Sequence, residues 1–163
     1  MIPRMRNGTR GFTLMELMVA LAVLAILLTI ALPSYMDRLV SEQVAEALPL
    51  ADLAKPAVEA AWRAGEALPA DNAAAGLPPA EKIVNQWVSS VIVSNGAIHI
   101  AFGNRANKTL RGQVLTVRPA GVPDARVVPV VWLCGRMGPP EKMQAQGDNR
   151  TSVPAGLLPR KCR

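Results

Sequence analysis

One carboxylate, Glu16, stands inside the otherwise uncharged, mostly apolar run GFTLMELMVALAVLAILLTIAL of residues 11–32. An ionised acid deep in hydrocarbon costs ~2.5 kcal/mol or more. Such an acid either has a partner or a task, or lies close enough to the end of its segment to snorkel to the headgroups, and Glu16 sits one turn inside. Other chemistry has little to work with. The single histidine, His99, alternates with Ile98 and Ile100, which puts it on the polar face of a strand; with no Cys, Asp or Glu nearby it makes no metal site and takes no role. There is no glycine-rich phosphate loop, no His-containing triad and no carboxylate pair at a spacing suited to acid–base work. An enzyme, a cofactor and a bound metal are therefore not expected.

The elements that must position Glu16 follow from its surroundings. A bilayer core about 30 Å thick is crossed by roughly 20 helical residues, and residues 12–32 supply 21. Arg4, Arg6 and Arg10 precede them with no acid between, so this end stays cytoplasmic and the bulk of the chain goes outward. An ordinary secretory signal would present small residues for cleavage after its apolar core, yet Ala31, Leu32, Pro33 and Ser34 run into further helix-like sequence. From Met36 through Val40, Val44, Ala47 and Ala51 to Val58 and Trp62, apolar residues recur at helical spacing, which predicts an amphipathic continuation. Asp37, Arg38, Glu42, Glu46 and Glu59 would face water or a partner. Pro33 should bend or loosen the helix. Pro49 and Pro56, each costing about 3 kcal/mol in a helix interior, predict a bend or break near residues 48–56.

Residues 65–79, dense in Ala, Gly and Pro, read as a connecting loop, after which the period becomes that of strands. Residues 86–93, 97–102, 113–118 and 127–133 predict four antiparallel strands, with Asn95-Gly96 the strongest hairpin signal. Trp62, Trp87 and Trp132 are the expected bulky core pieces in a chain with two Phe and one Tyr. Cys134 and Cys162 are the only cysteines. In an extracytoplasmic setting an even pair usually forms a disulfide, and closing this loop would contribute about 3 to 4 kcal/mol. Two free thiols or a redox pair is the alternative, without the CxxC spacing of an oxidoreductase.

The Gly11-Phe12 junction, followed by Thr13, Leu14 and Glu16, resembles the processing site of type IV prepilins. Pro33-Ser34-Tyr35, residues 69–78, residues 103–119 and the VWLCG stretch at Cys134 are also similar to pilin sequence, so the resemblance covers nearly the whole mature chain. It implies an α+β fold in which a long N-terminal helix packs on a four-stranded antiparallel sheet, with a disulfide-closed C-terminal loop. The implied divisions are a leader at 1–11, a transmembrane and assembly helix at 12–33, its amphipathic continuation at 34–64 and a globular head at 65–163. A prepilin peptidase would cut after Gly11 and Phe12 would be N-methylated. Phe12, Glu16 and Pro33 would serve assembly on an inner-membrane platform into an extracellular helical filament, with Glu16 neutralised by the new amine of a neighbouring copy. Translation from Met1 or Met5 would leave processing unchanged.

Charge is uneven. Residues 12–82 carry four basic and nine acidic side chains, whereas residues 83–163 carry eleven and three. The basic half could attract DNA, acidic polysaccharide or anionic cell surfaces through Arg105, Lys108, Arg111, Arg118, Arg160 and Lys161, or could meet acidic helix surfaces of neighbouring copies. Within the resemblance, a structural filament subunit supporting adhesion, twitching motility and DNA uptake leads. A DNA-binding minor pilin follows, and a type II secretion pseudopilin is disfavoured by the two-cysteine tail and the lack of a calcium-ligand cluster.

Overall fold

The computed structural model describes residues 11–163, apart from the side chains of residues 33 and 34. The expected basic leader, with Arg4, Arg6, Arg10 and the alternative start Met5, lies outside the described residues.

Helix α1 spans Leu14–Ala47 and remains helical through Pro33. As the two prolines require, it stops before Pro49. A 3₁₀ segment, Leu48–Leu53, follows, and helix α2 begins at Lys55 with Pro56 in its first turn, where a missing N–H costs nothing. Helix α2, Lys55–Ala64, ends on Gly65 at φ 75°, the left-handed conformation that glycine adopts without strain. Within the unit of residues 11–36 every described side chain is exposed. The compact unit begins at Asp37 and carries the whole sheet.

The sheet has four main antiparallel strands in the order β1 Val88–Ser94, β2 Ala97–Phe102, β3 Val114–Gly121 and β4 Val131–Cys134, and a short β5, Gln144–Ala145, also on β3. Asn95 and Gly96 turn the first hairpin with φ of 48° and 79°, the paired positive values that suit strand twist. Strand β4 starts four residues later than the spacing suggested, because residues 122–128 close turns through Ala125 N–H to Val122 O and Val128 N–H to Ala125 O. The outer strand β1 is finished by a side chain. The amide of Asn72, buried in the loop before the sheet, donates to Val91 O at 2.9 Å, and its carbonyl accepts Val93 N–H at 2.7 Å. It occupies the place of a neighbouring strand.

One sheet face buries Val91, Val93, Ile98, Ile100, Phe102, Leu115 and Val117 in a core with Val40, Val44, Ala47, Ala51 and Ala54 of the helical segments. Small helix residues let the backbone approach, and the aliphatics and Phe102 fill the centre. The tryptophans are not the main core pieces. Trp62 is buried, but Trp87 and Trp132 are half-buried at its margin. Their indole N–H groups reach helix carboxylates, Trp87 to Glu46 at 2.6 Å and Trp132 to Glu59 at 2.8 Å, so these two acids brace the sheet as well as meeting water.

His99 stands on the polar face that its alternation with Ile98 and Ile100 predicts, beside Thr116. It does point away from the core, but it is only 3% exposed, because the C-terminal segment covers that face. Cys134 and Cys162 are joined, and the loop they close fills both edges of β3. On the side that β2 has left, Gln146 N–H donates to Pro119 O at 2.8 Å, so only the carbonyl of this strand proline is called on. On the side beyond the end of β4, Ser152 N–H donates to Val114 O at 2.9 Å and Thr151 Oγ1 accepts Thr116 N–H at 3.0 Å. Between these anchors the chain crosses over His99 and Thr116 as a strap.

Candidate assembly segment and head surface

The apolar segment enters α1 at Leu14. Gly11 and Phe12 precede α1, and Phe12 is 80% exposed. Thr13 caps the helix, its hydroxyl accepting the Glu16 N–H at 3.2 Å, and Glu16 lies exposed in the first turn, where an acid is favoured by the helix dipole. Leu14, Met15, Leu17, Met18, Val19 and the large apolar residues after them are all at least half exposed as far as Leu32. A helix of this length and apolarity can cross a membrane. Such a face left in water would cost ~25 cal/mol for each Å² of apolar surface, so lipid or other copies of the helix must cover it.

The basic candidates divide among three elements. Arg105, Lys108 and Arg111 lie exposed in the loop between β2 and β3. That loop is fastened to the helix by Asn107 N–H donating to Gln43 Oε1 at 2.9 Å, and the Arg111 guanidinium turns back to Ala106 O at 2.9 Å. Arg118 lies on β3, partly buried, with its Nε buried and without a partner among the described residues. Arg160 and Lys161 are exposed in the 3₁₀ turn Arg160–Cys162, which the disulfide holds against Gly135 and β4. Lys161 instead joins Lys55, a residue the sequence did not single out, at a cavity beside the helix break. No sequence signal tied Lys55 to Lys161, since the two are brought together only by the break and the disulfide.

Under the strap, His99 Nδ1 lies 3.0 Å from Thr116 Oγ1, which also accepts Arg150 N–H at 3.0 Å. The other ring nitrogen, Nε2, is buried without a partner among the described residues. Burial holds the imidazole down to about 4 from its usual 6.5; Arg150 pushes the same way and Asp148 opposes both. Across the sheet, Trp62 carries the Arg126 guanidinium 4.8 Å above its ring.

Comparison with known proteins adds to this geometry. A family model described as pilin of the bacterial filament matches residues 43–163, and a prokaryotic N-terminal methylation motif matches residues 6–32. The chain is 32% identical over 155 residues to a fimbrial protein of Neisseria meningitidis serogroup B, covering 93% of this chain and 87% of that protein. It is 32% identical over 153 residues to the type IV major pilin protein PilE of Neisseria gonorrhoeae, with the same two coverages. Fimbrial protein Q of Moraxella bovis is 32% identical over 142 residues, 78% of this chain and 86% of that one.

Proposed function

From the premise that this chain belongs to the type IV pilin family, a family of structural proteins, we propose that it is cut after Gly11, N-methylated on Phe12 and polymerised through its apolar helix. It is a structural subunit of a pilus. The observation that carries the assembly reading is the apolar stretch of α1 exposed from Leu14 to Leu32, with one carboxylate four residues after Phe12. Cleavage makes an amine at Phe12. In a bundle of such helices the ammonium of one copy neutralises Glu16 of the next, and a copy docked out of register leaves two charges unpaired in a poor dielectric. Processing by a prepilin peptidase, extension on an inner-membrane platform, and roles in adhesion, twitching motility and DNA uptake belong to the same proposal. So do the divisions at 1–11, 12–33, 34–64 and 65–163 and the place of Pro33 in assembly. The precursor is anchored in the inner membrane by one helix, and the polymer is extracellular. Nothing in the fold or the relatives favours a DNA-binding minor subunit or a secretion pseudopilin. The test is Glu16→Gln expressed as the sole copy, with sheared surface filaments weighed and their N-terminus sequenced by mass spectrometry. Filament loss of tenfold or more, with N-methylated Phe12 still first in the membrane pool, is expected. Normal filaments from the variant, or a mature chain starting upstream of Phe12, overturn it.

A further inference from the structure

Where α1 gives way to the 3₁₀ segment, the helical backbone and the sheet leave a cavity of about 410 Å³ inside the compact unit, a size typical of small-molecule sites. We propose that it binds an acidic sugar, a pyranose ring bearing a carboxylate. Pro49, Trp132 and Met137 give it apolar walls suited to the C–H face of a sugar ring. The indole of Trp132 is fixed in place by its bond to Glu59, so this wall is preorganised. Asp52 and Lys55, paired at 2.6 Å, set an acceptor beside a donor, the alternation that neighbouring hydroxyls read. The Lys55 ammonium is also held 5.5 Å from the centre of the Trp132 ring. Lys161 lines the same cavity, exposed and with no side-chain ion pair or hydrogen bond among the described residues, and its ammonium is the charge that meets the carboxylate. A purely aromatic acid would use the walls and Lys161 but leave the Asp52–Lys55 pair unread. A neutral sugar would leave Lys161 unpaired.

The site lies within the compact unit that begins at Asp37, so it stands or falls independently of the assembly reading: loss of filaments in Glu16→Gln leaves it untouched. Calorimetric titration of the full chain in detergent at physiological salt, with a glucuronate disaccharide as probe, tests it. One site per chain is expected, with binding at least about tenfold tighter than for cellobiose or benzoate. Lys161→Ala should weaken the disaccharide by about tenfold, while the charge-matched Lys82→Ala, at an exposed position away from the cavity, leaves it unchanged. Absence of binding, equal binding of benzoate or cellobiose, or equal losses from Lys161→Ala and Lys82→Ala overturns the proposal; the last result would mean that diffuse positive charge holds the anion.

Discussion

Acid should loosen the head through one imidazole. In the fold His99 titrates at about 4, and in the unfolded chain at its ordinary 6.5. Because the folded value is the lower one, the fold favours the neutral ring. Its contribution is complete above pH 6.5, falls as the pH drops from 6.5 towards 4 and is lost below that, since in this window the unfolded chain binds the proton first. The full difference is at most about 3 kcal/mol, and between about pH 7.5 and pH 4.8 the same two values give about 2 kcal/mol. That is an upper bound, because the strap of residues 148–152 can lift and hydrate the ring without the sheet opening. Denaturant unfolding of the mature chain in detergent, followed by tryptophan fluorescence, reads this well: all three tryptophans lie beyond residue 36, so the signal reports the compact unit from Asp37 alone. The perturbation is His99→Gln, which cannot charge but still offers Thr116 an acceptor. Titrating carboxylates affect both proteins alike, so the wild-type chain should lose about 2 kcal/mol more than the variant over that interval. Equal pH dependence in the two proteins, or a ring titrating near 6.5 by NMR, would refute the account.

Three further outcomes follow from contacts of the head. Asn72→Ala leaves Val91 O and Val93 N–H without their partner at the outer edge of β1 and should cost about 3 kcal/mol, measured by the same denaturation. Gly121→Ala drives a methyl group into the Trp62 ring and should lower the unfolding free energy by about 2 kcal/mol, with Trp62→Leu in the same chain recovering part of the loss. Replacing Cys134 and Cys162 with serine should cost about 3 to 4 kcal/mol and, by freeing the strap, return the His99 titration towards 6.5; an unchanged His99 in that variant would show that the strap holds without its covalent tie.

Local features settled what the sequence could determine by itself. The apolar run with Glu16 and Thr13 needs only its own composition to be a helix, and Pro49 and Pro56 end one helix and begin the next because a missing N–H acts within a single turn. Asn95-Gly96 fixed a hairpin for the same reason, since positive φ at two adjacent residues is a local cost. The motif around Gly11 and Phe12 was legible because it is read as a contiguous string. Tertiary structure alone decided which faces the C-terminal loop would cover. Alternation placed His99 away from the core, but only a strap anchored at Gln146 and Ser152, on opposite edges of β3, turned that face into an interior. Likewise Glu46 meets Trp87 across 41 positions and Glu59 meets Trp132 across 73, separations at which chain order carries no signal. The cavity beside Lys55 and Lys161 belongs to the same class. It exists because a broken helix, a sheet and a disulfide-tied turn converge there, each specified locally and none of them specifying the space between.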